Sequence, residues 1–234
     1  MNERSGSNAV IIGCGDHGVV ALRILQASGT TVSGFLDDDP STWGTNVVDL
    51  PVLGDATWLR SKGGHTAVFV AIGANTARSR VAAGLRAQGV RVISAIHPSA
   101  VLMNGVRRGL GAFVGAGAVV VSGSVIGDDV IVNTGATIDH DSVVEDGAHI
   151  APGVHTGGRV RIGEGSLVGI GASLGAGVII GPGSVVGAGS VVLQDVPAGV
   201  VVAGVPARVI RELDGEIDWG HVLRPRARSE STER

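Results

Sequence analysis

The chain has 234 residues, 39 of them Gly, and a formal net charge of −3 at pH 7. A single cysteine, Cys14, excludes a disulfide framework and a cysteine-based metal site, and the slight negative balance without a basic stripe speaks against a nucleic-acid binder. No run of about 18 apolar residues marks a membrane span, and no apolar signal core opens the chain, so it reads as a cytoplasmic protein of one large or two small domains.

Residues 1–8 are polar and read as frayed. Ala9–Ile12 reads as a buried strand, followed by the loop Gly13-Cys14-Gly15-Asp16-His17-Gly18. Val19 to Ala27 has helical spacing, with Val20, Ile24 and Ala27 on one face. Thr31–Leu36 is a second strand that ends in Asp37-Asp38-Asp39-Pro40. Pro51–Leu53 reads as a short strand, and Asp55–Ser61 as a short helix capped by Asp55. Ala67–Ile72 is another buried strand, closing at Gly73. Thr76–Gln88 is a helix stopped by Gly89, and Arg91–Ile96 a further strand. Alternating strands and helices predict a small Rossmann-like parallel α/β domain over residues 1–98. His97-Pro98 closes it, and Leu102 already belongs to the second domain.

From Val114 to Val192 one position recurs every six residues, and it is Val, Ile or Leu throughout except at Thr156. Four residues after each comes a small or β-branched residue, as in Ala118, Ser124, Val130 and Ala136. A helix wants apolar residues every three to four positions and a simple strand every two. A strict period of six fits short strands that turn a corner and start again, a parallel β-helix whose coils stack at roughly 4.8 Å. This domain is expected over residues 99–213. The remaining residues, 214–234, form a charged, Ser/Arg-rich tail.

Two sets of residues carry chemistry. Gly13, Gly15 and Gly18 follow a strand and open a helix, where bare amides approach a phosphate. Asp37 lies at the end of the second strand, where a carboxylate meets a ribose hydroxyl. With only one small half-domain present, a mononucleotide or nucleotide-sugar fits better than NAD. The alternative is that the glycines merely permit close helix–strand packing. His17 reads either as a surface residue or as one facing the ligand. In the repeat, His140 falls near a corner and faces out, with Asp141 beside it to orient the ring and stabilise its imidazolium. An exposed imidazole is a general base suited to neutral pH. The residue 18 positions on is Gly158, whose amide is a candidate oxyanion donor. His149 lies half a circuit away and meets such a site only from a neighbouring subunit; His155 reads as a corner residue.

Several motifs stand together: Gly-x-Gly-x-His-Gly at 13–18, Leu36-Asp37-Asp38, Ala71-Ile72-Gly73, Asn133-Thr134-x-x-x-Ile138-x-His140-Asp141, and Gly204-Val205-Pro206-Ala207-Arg208. Together they resemble the hexapeptide-repeat acetyltransferases of the sialic-acid O-acetyltransferase family, which includes the N-acetyltransferases of UDP-4-amino-sugars in bacillosamine-type pathways. The resemblance covers about residues 9–211. It implies a left-handed β-helix, a homotrimer with active sites between subunits, and acetyl-CoA as co-substrate with no metal. It places the nucleotide-sugar at Gly13, Gly15, Asp16, His17, Asp37, Asp38 and Gly73, with Asn75 and Arg78 close by. The general base falls on His140, and its acidic neighbour on Asp141. His149, Gly158, Ile170 and Ala188 fall on acetyl-CoA contacts.

Acetylation of an amine on a nucleotide-linked amino sugar is the leading expectation, by direct transfer without an acyl-enzyme. O-acetylation of a sugar or sialic-acid hydroxyl is the alternative. A zinc enzyme of the γ-carbonic-anhydrase type, a non-catalytic nucleotide-sugar sensor and an NAD-linked oxidoreductase are rivals from other classes. The histidine spacings of nine and six speak against the zinc enzyme.

Overall fold

The computed structural model describes residues 8–62 and 66–213. The expectations for residues 1–7 and for the tail at 214–234 lie outside the described residues. The chain forms a small α/β unit joined to a parallel β-helix.

The α/β unit opens with β1 (Asn8–Ile12), α1 (Asp16–Ala27) and β2 (Thr31–Leu36). A hairpin, β3 (Asn46–Val47) and β4 (Leu50–Pro51), precedes a 3-10 helix at Ala56–Lys62. Then come β5 (Ala67–Val70) and α2 (Asn75–Ala87). The main sheet is parallel, in the order β2-β1-β5. Its strands are runs of buried apolar residues, because both faces are covered. The loops after β1, β2 and β5 therefore share one edge, where open α/β sheets bind ligands.

Two local expectations need correction. Helix α1 starts at Asp16 and buries Gly18, Ala21, Leu22, Ile24 and Leu25, while Val20 stays 45% exposed and Ala27 lies outside the core. The cause is Gly18, which packs against the Gly13 carbonyl so closely that a Cβ would overlap it, and so sets the helix rotation. The expected strand Arg91–Ile96 divides. Val92 bridges to Val68 in the α/β sheet, whereas Ala95–Ile96 pairs with Phe113–Val114. The prism thus begins at Ala95, ahead of His97-Pro98.

The prism has three faces of two-residue rungs. The first runs from Ala95–Ile96 through Phe113–Val114, Ile131–Val132, His149–Ile150 and Leu167–Val168 to Val185–Val186. The second runs from Val101–Leu102 to Val191–Val192, and the third from Arg107–Arg108 to Ile179–Ile180. Partners such as Val119, Thr137, His155 and Ser173 differ by the 18 residues that one coil contains. The inward column is buried from Val114 to Val192, each aliphatic side chain contributing about 1.5–3 kcal/mol over an exposed one. Buried serines are satisfied: Ser124 donates to the Asp139 carbonyl, and Ser166 to that of Gly181. The last turn shortens, pairing Val185 with Val201, and ends in a hairpin of Val200–Gly204 and Ala207–Glu212.

The α/β unit sits on the first face. The outward residues Phe113, Ile131, Leu167 and Val185 are all buried beneath it. Polar anchors lock the junction. Arg78, 1% exposed, donates from Nε to the Asp129 carbonyl, from Nη1 to the Ile72 and Gly73 carbonyls, and from Nη2 to Asn75 Oδ1 and the Gly147 carbonyl. Asn75 in turn donates to the carbonyls of Gly165 and Ser166.

Candidate active site

A tight corner repeats along the prism. Every sixth residue from Gly105 to Gly189 has a positive φ, and each is Gly except Asp129, Asp141 and Arg159, with φ of 55°, 56° and 58°. Such angles are uncommon for residues with a Cβ, so these breaks ask for a reason. Asp129 answers with a bidentate pair to Arg86, at 2.9 and 2.6 Å, that ties α2 to the corner.

Asp141 answers with His140. Its Oδ2 lies 2.8 Å from His140 Nδ1 at the corner between the second and third faces. The His140 side chain is 44% exposed. A carboxylate accepts only, so the proton sits on Nδ1 and leaves Nε2 as the acceptor. That Nε2 lies over Gly158 in the next coil, where an added Cβ would collide with it. Gly158 N–H has no hydrogen-bond partner among the described residues, while the next amide, Arg159 N–H, is held by the His140 carbonyl at 2.8 Å. The corner has a further support: Thr156 Oγ1, from the inward column, accepts from the Asp139 amide at 3.1 Å.

The other acetyl-CoA candidates fall elsewhere on the chain. Ile170, 59% exposed, and Ala188 stack at the corner between the first and second faces. His149 lies half-buried on the first face, its Nε2 3.4 Å from Asn133 Nδ2. One chain therefore brings together His140, Asp141 and Gly158, and separately Ile170 and Ala188. His155 is not a corner residue; it lies in the second-face strand His155–Thr156, with Nδ1 2.8 Å from Thr137 Oγ1.

At the α/β edge the loop glycines differ. Gly13 and Gly18 are required by packing, since a Cβ on Gly13 would meet the Ala71 carbonyl at 2.8 Å and one on Gly18 would overlap the Gly13 carbonyl. Gly15 and Gly73 have open space around them. Asp16 is exposed in the first turn of α1. Asp37 spends both oxygens on the loop, Oδ2 accepting from Cys14 N–H at 2.9 Å and Oδ1 from Asp39 N–H at 3.0 Å. Burial opposes its charge, but these bonds outweigh that and hold its carboxyl below the usual range. Asp38 is exposed and has no partner among the described residues.

The surface alternative for His17 does not hold. Its ring lies 4.8 Å from Phe113 of the prism, and Nε2 is buried without a partner. Burial, with Arg78 nearby, lowers its pKa to about 4. Burial, then Arg78 and His17, lowers that of His149 to about 3. Sequence reasoning grouped Asn75 and Arg78 with the nucleotide-sugar contacts; all five Arg78 donors are instead committed to the junction. It missed Arg86 and Asp129 altogether, though the broken glycine corner at 129 was a usable signal. Among the described residues no cluster of His, Cys, Asp and Glu is arranged to hold a metal, and no helix is long and apolar enough to cross a membrane.

Comparison with known proteins agrees with this arrangement. The PglD N-terminal domain family matches residues 8–85, and the bacterial transferase hexapeptide family (six repeats) matches residues 159–194. No curated protein sequence matches. Among solved structures, a histidine-to-asparagine variant of perosamine N-acetyltransferase from Caulobacter crescentus, in complex with CoA and GDP-perosamine, is 40% identical. It superposes with a TM-score of 0.83, over 88% of this chain and 98% of that one. The acetyltransferase domain of PglB from Neisseria gonorrhoeae, in complex with acetyl coenzyme A, is 37% identical, with a TM-score of 0.82 over 88% and 100% of the two chains. WeeI from Acinetobacter baumannii is 28% identical, with a TM-score of 0.80 over 87% and 100%. An α/β unit seated on an 18-residue coil, with this identity over nearly the whole length, makes the chain a member of the bacillosamine-type family of hexapeptide-repeat acetyltransferases, built on a left-handed β-helix.

Proposed function

We propose that the protein transfers an acetyl group from acetyl-CoA to the amine of a nucleotide-linked amino sugar. One observation carries the chemistry: an outward imidazole with its Nδ1 on a carboxylate and its Nε2 over a bare glycine. The α/β edge holds the nucleotide, with Gly15, Asp16, His17, Asp38 and Gly73 as candidate contacts and Gly13 and Asp37 shaping the loop. Relatives solved with CoA, acetyl-CoA and GDP-perosamine support both ligands.

The amine nitrogen attacks the thioester carbonyl, and His140 Nε2 takes its proton. Gly158 N–H steadies the oxyanion. The C–S bond then breaks and CoA leaves, its sulfur receiving the proton from His140. Asp141 keeps the imidazole in the required tautomer and stabilises its cation. Cys14 belongs to the distant nucleotide loop, so transfer is direct. In a homotrimer, the Ile170–Ala188 corner of one prism and the His140 corner of another frame the CoA groove, with His149 meeting the site from a neighbouring chain. The cytoplasm supplies both substrates.

A panel of UDP-, GDP-, CMP- and TDP-linked amino sugars with acetyl-CoA, read as free thiol, tests the assignment. At least one should be acetylated on nitrogen. His140→Ala should lower kcat by about 10²- to 10⁴-fold and keep acetyl-CoA affinity. Near wild-type turnover in that variant removes His140 as the base. Turnover confined to hydroxyl acceptors would move the enzyme to O-acetylation.

A further inference from the structure

The corner position explains two of its three departures from glycine. Asp129 holds Arg86, and Asp141 holds His140. The third, Arg159, has no such partner among the described residues. Its side chain is exposed and makes no ion pair or side-chain hydrogen bond to another described residue, yet its backbone holds the same left-handed angle, φ 58°. A long, flexible cation gives no packing return for that strain here. Only its backbone is engaged, through the 2.8 Å bond from its amide to the His140 carbonyl. That bond fixes where the side chain leaves the prism: one residue past Gly158, and one coil on from Asp141.

We infer that Arg159 binds a phosphate of the acceptor, the diphosphate that links nucleotide to sugar. The inference rests on the acetyl-transfer reading above. A guanidinium is planar, permanently charged and matched to phosphate oxygens by paired N–H donors. Two substrates of that reaction carry phosphates, and position decides between them. The phosphates of CoA lie a whole pantetheine arm from its thioester. The phosphate on the anomeric carbon of the acceptor lies only one sugar ring from an amine on that ring. An arginine rooted beside the base and the oxyanion amide is therefore within range of the acceptor's phosphate when the amine is at His140. Asp141, one coil away, is occupied by His140 Nδ1. In this role Arg159 ties the acceptor to the base corner, while the glycine loop of a neighbouring subunit's α/β edge holds the other end of the nucleotide.

Arg159→Gly tests this without threatening the fold, because it installs the residue most of these corners carry. Steady-state kinetics with the accepted nucleotide-linked amino sugar should show its KM raised about tenfold, with the KM for acetyl-CoA and kcat at saturation little changed. Arg159→Lys, which keeps the charge and loses the fork, should fall between. In calorimetry, UDP or GDP, whichever the wild type binds, should weaken with Arg159→Gly, and free CoA should not. An unchanged acceptor KM in Arg159→Gly overturns the inference and leaves the acetyl-transfer reading standing. A rise confined to acetyl-CoA also overturns it and reassigns Arg159 to the CoA phosphates. If the wild type acetylates no nucleotide-linked acceptor, both the inference and the reading beneath it fall.

Discussion

Thr156 Oγ1 accepts a hydrogen bond from the Asp139 amide, so the one polar residue in the inward column supports the turn that carries His140. Thr156→Val keeps the shape, improves the apolar column and removes that bond. It should cost about 1 kcal/mol or less in denaturant unfolding, since better burial offsets part of the lost bond. Its kcat should fall several-fold, because the base corner loses its support. Unchanged kcat would show that the corner is held without Thr156.

The Arg86–Asp129 pair is a second target. Asp129 is 3% exposed at its side chain, so Arg86→Ala leaves a buried carboxylate without its cation. That single change should destabilise by about 3 kcal/mol. The double variant Arg86→Ala with Asp129→Gly should recover much of the loss, since it removes the stranded charge and the positive-φ strain together. Chemical denaturation of all four members of the cycle measures the coupling. Additive losses would mean the pair contributes nothing beyond its parts.

Acidification should loosen the junction between the α/β unit and the prism. His17 and His149 have folded pKa values of about 4 and about 3, below the ordinary 6.5 of imidazole. Between those values and 6.5 the unfolded chain binds the protons and the folded chain does not. Stability contributed by these groups is therefore full above pH 6.5 and lost as pH falls toward 4 and then 3. Each contributes a slope of up to about 1.4 kcal/mol per pH unit in its window. Thermal unfolding between pH 7.5 and about pH 4 should show the decline, and His17→Phe should flatten it. A flat profile in the wild type would contradict the burial of both rings.

Asp141 separates orientation from charge. Asp141→Asn keeps the size, but its amide can accept from or donate to Nδ1, so the tautomer is no longer fixed. Its kcat should drop by about tenfold or more, yet less than for His140→Ala, with KM for acetyl-CoA unchanged. Equal losses in the two variants would make Asp141 part of the proton-transfer step itself.

Much of this was legible in the sequence because one period controls it. The inward column, the 18-residue coil and the juxtaposition of His140 with Gly158 all follow from counting in sixes. The face of α1 was not legible, since Gly18 sets the rotation through a contact with the Gly13 carbonyl that periodicity does not report. The divided fate of 91–96 was equally hidden: Val92 and Ala95 are both small apolar residues in one apparent strand, and only the partner available to each differs. Arg78 resembled a ligand residue because it closely follows Gly73, a position the family resemblance gives to the nucleotide-sugar. Its acceptors are the Ile72 and Gly73 carbonyls, Asn75 Oδ1 and the carbonyls of two prism corners, Asp129 and Gly147, the latter 69 residues away in the chain. Asp129 and Arg159 break the glycine series of the corners, but the sequence alone does not say what each side chain meets.

The coil also governs how such a chain can change length. Deleting one residue between Ala95 and Val192 would slide every later rung by one place, turning inward aliphatics to the outside for the rest of the solenoid. Deleting 18 would leave every column intact and bring the remaining corners one strand spacing, about 4.8 Å, closer together. Whole-turn changes therefore preserve every column, as the two-residue shortening of the last turn, taken up at a corner, also does, and a whole turn moves the base corner and the distal groove by one strand spacing.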